Sequence, residues 1–180
     1  MPGRGTFARD GGGVLITQAI HQIDLMLHLC GPALQVSAMT ASSPLHQMEA
    51  EDFASASLRF ASGAVGSLMA SVTHYPGAQE SLVLNGTKAS ATLSADTLAL
   101  HVHGAEPVIE GEASAKTGSG ADPMAFSHAW HQSVISDFAD ALKTGRAPTV
   151  TGRSALAAQA LIDAIQDAAR TGQLTEVSRA

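Results

Sequence analysis

The chain has 180 residues, of which 45% are hydrophobic and 14% charged, and its formal net charge is −6. That apolar share is enough for the core of one domain over 1–180 and excludes a disordered chain. Sixteen acidic residues against ten basic ones, with no basic cluster, exclude nucleic acid as a partner, because no patch exists to neutralise phosphates.

Residues 14–30 predict the first helix, entered from Gly11-Gly12-Gly13 and ended by Gly31-Pro32. The helix is apolar apart from one narrow stripe of Thr17, His21, Asp24 and His28, whose spacings of four, three and four share a small arc. A titratable stripe on an otherwise buried helix must face water, a partner group or a ligand, since unpaired buried polar groups are costly. A first strand is expected over 33–41 and a loop over 42–50. Residues 53–60 alternate, with Ala54, Ala56, Leu58 and Phe60 on one face and Ser55, Ser57 and Arg59 on the other. Ser62-Gly63 turns the chain into a strand over 64–72, and Tyr75-Pro76-Gly77 turns it again. Strands over 81–84 and 89–93 flank Asn85-Gly86, a strong hairpin signal, and Leu98, Leu100 and Val102 alternate beyond them. Residues 104–125, rich in Gly, Ala, Ser and Glu, predict a loop. Two helices close the chain. Phe126, Trp130, Val134, Phe138 and Leu142 recur every four residues and predict a buried face with Trp130 in the core. Thr151 or Ser154 caps the last helix, whose apolar face includes Leu156, Leu161, Ile162 and Ile165 and which Gly172 ends.

The fold class is therefore α+β, an open and mainly antiparallel sheet with helices packed on one face. The other sheet face is rich in Ser, Ala and Gly, with Val65 and Met69 among them. It either faces solvent or pairs with a second subunit, and a homodimer is the preferred reading.

Cys30 is the only cysteine, which fits a reducing compartment and an expected cytoplasmic location. No apolar stretch is long enough to span a bilayer, and Met1-Pro2-Gly3-Arg4-Gly5 lacks the layout of a secretory signal. No strand precedes the glycines, so the chain reads as beginning inside a fold.

Read as a ligand-facing group, His21 is a candidate acid/base; read plainly, it is a histidine on a solvated stripe. Gly12 and Gly13 allow a substrate to approach the backbone, or simply make a turn. Arg4 and Arg9 before the glycines are read first as solvated surface arginines and second as contacts to an acidic substrate group, and His74 and Tyr75 at a strand end either line the same pocket or make a turn. The pairs His101/His103 and His128/His131 have metal-compatible spacing, but nothing completes a ligand set and no metal is expected.

The stretch Gly-Gly-Gly-Val-Leu-Ile-Thr-Gln-Ala-Ile-His-Gln-Ile-Asp-Leu (11–25) resembles the signature of the glucose–fructose oxidoreductase / inositol dehydrogenase (Gfo/Idh/MocA) family. The resemblance continues through Leu29-Cys30-Gly31, Glu51-Asp52, Phe60 to Gly66, Leu84-Asn85-Gly86-Thr87, Asp137-Phe138 and Gly145-Arg146-Ala147-Pro148. It covers the C-terminal domain of that family only. It implies an NAD(P)-dependent oxidoreductase of sugars, cyclitols or related polyols. It also implies that the Rossmann domain, with its phosphate loop and catalytic lysine, is absent from this chain, so that the chain alone is expected to be inactive. By resemblance His21 is the catalytic histidine, with Gly12, Gly13, Thr17, Asp24, Arg9 and Tyr75 as candidate substrate contacts and NAD or NADP held mainly by the missing domain. Many members carry aspartate where this chain has Thr17, which puts inositol itself in doubt as the substrate. The open sheet face is expected to build a homodimer or tetramer. The competing reading is a non-catalytic oligomerisation module of the same fold.

Overall fold

The computed structural model describes residues 5–94, 97–111 and 128–178. In chain order the elements are α1 (Phe7–Asp10), a π-helical segment (Leu15–Ala19) running into α2 (Ile20–Cys30), β1 (Ala33–Ala41), β2 (Phe53–Phe60), β3 (Val65–Ser71), β4 (Ser81–Asn85), β5 (Ala89–Ser94), β6 (Thr97–Val102), β7 (Val108–Glu110), α3 (Ala129–Thr144), α4 (Gly152–Thr171) and β8 (Thr175–Glu176). They form two compact units, Met1–His74 with Asp140–Ala180, and Tyr75–Ala139.

In the first unit the sheet order is β3-β2-β1-β8, antiparallel throughout. The alternation read along 53–60 is observed: Ala54, Ala56, Leu58 and Phe60 are buried. Against that face lies α4, packed on β1 through a stripe of Ala158, Leu161, Ile162, Ala164, Ile165 and Ala168, and α2 packs on α4. Val14, Leu15, Ile23 and Met26 complete this core from the first helical stretch. Each fully buried Leu or Ile stabilises the fold by about 1.5–3 kcal/mol. The helix ends follow their chemistry. Gly31 donates its amide to the Leu27 carbonyl at 2.9 Å, and Thr151 and Ser154 form a reciprocal capping box at the start of α4.

The opposite face of this sheet is open. Strand register lines up three rows across β1, β2 and β3: Gln35–Arg59–Val65, Ser37–Ser57–Ser67 and Met39–Ser55–Met69. Met39 and Met69 are 74% and 75% exposed.

The second unit holds the other sheet, order β4-β5-β6-β7, also antiparallel. Asn85-Gly86 makes the expected hairpin, with Gly86 donating to the Ala89 carbonyl at 2.9 Å. No side chain among the described residues of β4–β7 is buried.

Four expectations are corrected. The strands divide into two sheets rather than one, because β4 pairs with β5 instead of β3. The expected loop over 104–125 contains β7, three residues that among the described residues pair only with β6; residues 112–125 of that loop, and Phe126 beyond it, lie outside the described residues. The first helix is π-helical over its first turns rather than uniformly α. Trp130 is not core: it is 58% exposed, and Val134, Ile135, Phe138 and Leu142 are exposed with it, leaving Ala141 as the one buried residue of α3. The period of four holds from Trp130 to Leu142, but among the described residues these side chains stay exposed.

Candidate active site

The glycine run and the helix after it are held from outside by one short acidic segment. Glu49, Glu51 and Asp52 each place a carboxylate on a backbone amide of a different piece of chain. Glu49 Oε2 accepts from the Phe7 amide at 3.1 Å, at the start of α1. Glu51 Oε1 accepts from Leu15 at 3.2 Å, and its carbonyl accepts from Val14 at 2.8 Å. These are among the amides that a helix start cannot satisfy by itself, and negative charge is favourable there. Asp52, fully buried, accepts from the Ser43 amide at 2.9 Å, from the Ser43 hydroxyl at 2.5 Å and from His46 Nδ1 at 3.1 Å. Burial pushes its carboxyl up, but the Ser43 hydroxyl, the Ser43 amide and His46 outweigh burial and hold it below the usual carboxylate range.

Two of the glycines have distinct reasons. Gly11 closes α1 with φ +79°, a left-handed conformation that favours glycine, and its amide donates to the Phe7 carbonyl at 3.2 Å. Gly13 has no positive φ; it is glycine because Glu51 lies against it. A Cβ there would overlap the Glu51 carbonyl oxygen and stand 2.6 Å from its Cδ and 2.7 Å from its amide nitrogen.

Thr17 donates its hydroxyl to the Gly13 carbonyl at 2.7 Å, and its amide donates to the same oxygen at 3.1 Å. A hydroxyl competing for a helix carbonyl bends a helix, and this bond falls in the π-helical segment. Such π turns recur at functional sites.

The structure brings Thr17, His21, Asp24 and His28 together as the exposed face of one helical stretch, while Ile23 and Met26 on its other side are buried. The His21 ring is thus available to a ligand or to water rather than sealed in the core. Gly12 and Gly13 lie buried at the start of the same stretch. Arg9 is exposed on α1 and stands 3.9 Å from Asp10. Tyr75 belongs to the second unit and is 93% exposed. Arg4 lies outside the described residues. Among the described residues no three His, Cys, Asp or Glu side chains gather as metal ligands, and no helix is long and apolar enough to cross a membrane.

From sequence, Glu51 and Asp52 stand out only as part of the family resemblance, and Glu49 carries no assignment. The available signal was an acidic run immediately before a strand, close in chemistry to what glycine-rich helix starts require.

Glu51 already occupies two amides of this helix start, Leu15 through its carboxylate and Val14 through its backbone carbonyl, so these two amides are not open to a dinucleotide phosphate.

Comparison with known proteins agrees with this architecture. The WlbA dehydrogenase from Bordetella pertussis, solved with NADH and UDP-GlcNAcA, is 26% identical with a TM-score of 0.74 over 97% of this chain and 48% of its own. A levoglucosan dehydrogenase solved with NADH is 22% identical (TM-score 0.76; 94% of this chain, 51% of its own). An aldose-aldose oxidoreductase from Caulobacter crescentus, solved with glycerol, is 22% identical (TM-score 0.74; 94% and 49%). The chain thus spans about half the length of each. No curated protein matches the sequence. The profile described as "Oxidoreductase family, C-terminal alpha/beta domain" matches residues 6–177, and the chain belongs to that family, Gfo/Idh/MocA, as its C-terminal domain.

Proposed function

We propose that this chain is the substrate-binding half of an NAD(P)-dependent oxidoreductase acting on a secondary alcohol of a sugar, cyclitol or related polyol, with His21 as the acid/base. The observation that carries the reading is the exposed His21 between Thr17 and Asp24 on a helix whose start is fixed by Glu51. The family match and the sugar-linked dehydrogenases among the similar structures support it. The nicotinamide, held by a part of the protein other than these residues, supplies hydride transfer. This chain's share is the proton. An unprotonated imidazole accepts it from the substrate hydroxyl on oxidation and returns it on reduction, which suits a group whose ordinary pKa is about 6.5.

Gly12 and Gly13 line the approach, Asp24 and the lone pairs of Thr17 Oγ1 accept from substrate hydroxyls, and Arg9 contacts the outer part of the molecule. The open sheet face, with Met39, Val65 and Met69 exposed, supports a homodimer or tetramer. One observation favours the alternative of a non-catalytic module: the Thr17 hydroxyl proton is already committed to the Gly13 carbonyl.

The test is His21→Ala in the intact protein, assayed for nicotinamide-linked turnover of a sugar or polyol panel. A fall in kcat of about 10²–10⁴-fold is expected. An unchanged kcat rejects the acid/base role and leaves the module.

A further inference from the structure

We propose that Glu51 is the positioning residue of the site: it fixes where the helix bearing Thr17 and His21 begins relative to the sheet. This rests on the reading of His21 given above.

Glu51 is 8% exposed, and its carboxylate accepts from the Leu15 amide. A buried carboxylate needs such donors. Its backbone works with its side chain. The Glu51 carbonyl takes the Val14 amide, and the Gly13 Cα lies so close that no side chain fits between them. Glu51 cannot drift, because the next residue is pinned twice. The Asp52 amide donates to the Ala41 carbonyl at 3.0 Å, the last residue of β1, and the Asp52 carbonyl accepts from Val72 at 3.0 Å, just beyond β3. Glu51 and Asp52 together therefore join the ends of β1 and β3 to the first two amides after the glycine run. His21 is six positions after Leu15 on the same helical stretch, so a shift or rotation of the helix start carries directly to the imidazole. Displacements of about 1 Å at an acid/base lower rates by about a hundredfold.

Length and charge are separable. Glu51→Gln keeps an acceptor at the same reach without the charge. Glu51→Asp keeps the charge and withdraws it by one methylene. If Glu51 acts by position, Glu51→Gln retains kcat within about threefold in the intact oxidoreductase, and Glu51→Asp and Glu51→Ala lower it between about tenfold and a hundredfold. In this chain the Leu15 amide should exchange with solvent about tenfold faster in Glu51→Asp and Glu51→Ala than in wild type, and Glu51→Gln should restore its protection.

The reverse ranking, with Glu51→Asp active and Glu51→Gln impaired, overturns the inference in favour of charge. Wild-type exchange at Leu15 in Glu51→Ala also overturns it. His21→Ala, assayed alongside, separates the two readings. If it abolishes turnover while Glu51→Ala does not, positioning fails and the acid/base stands. If it has no effect, the acid/base fails, and the positioning role in catalysis falls with it.

Discussion

Replacing Gly13 with alanine tests whether close approach, rather than backbone freedom, is the reason for glycine at the helix start. Gly13 has no positive φ, so on backbone grounds alanine is acceptable there and would stabilise by about 0.4–1 kcal/mol through the unfolded chain. The new Cβ, however, would overlap the Glu51 carbonyl oxygen, which is backbone and cannot swing away. Relief requires Glu51 and the helix start to separate. That breaks the Val14 bond at 2.8 Å and the Leu15 bond at 3.2 Å and leaves a buried carboxylate without its described donor. At about 1 kcal/mol for the neutral bond and about 1.5–3 kcal/mol for the charged one, the net loss is about 1.5–3.6 kcal/mol after the entropic gain. For a chain of this length that lowers Tm by about 3–14 °C. Gly11→Ala is the control. Its φ of +79° penalises alanine by about 1–2 kcal/mol, yet no atom lies within 4 Å of the added Cβ. Urea and thermal denaturation of the two variants should therefore rank Gly13→Ala as the more damaging. A Gly13→Ala protein as stable as wild type, or less affected than Gly11→Ala, would refute the reasoning.

Asp52 makes stability depend on acid. Its folded pKa lies below that of the unfolded chain, about 3.9, so its hydrogen bonds contribute fully above that value and are lost as pH falls through the depressed folded value. Denaturant unfolding between pH 7 and pH 2 should show wild type losing stability more steeply than Asp52→Asn, which should be weaker by about 1–3 kcal/mol at neutral pH; parallel profiles would dismiss this. Met69→Lys places a charge in the methionine row of the open sheet face. Sedimentation should show wild type as a dimer and the variant as a monomer at micromolar concentration, whereas a monomeric wild type, or a variant that stays paired, counts against an interface there.

What the sequence disclosed, and what it withheld, divides by the range of the interaction. The strands over 33–41 and 53–60 are legible because alternation needs only neighbours, and their register follows once Phe60 and Ala54 must face inward. The polar stripe on the first helix is legible for the same reason. Gly13 is different. Its partner is 38 residues away, and a glycine run looks the same whether it serves flexibility or close contact. Asp52 is hidden likewise, since a carboxylate before a strand gives no sign that Ser43 and His46 will fold back over it.

Trp130 shows the opposite limit. Its period of four correctly gives the apolar face of α3, but periodicity reports which side of a helix avoids water and not what covers that side. Within these residues that face stays exposed, so the step from amphipathic to buried is the one that failed. The His21 helix followed the reverse course: its polar stripe gave the direction of the site, while the atoms that fix it, on Glu51, come from a segment that periodicity could not connect to it.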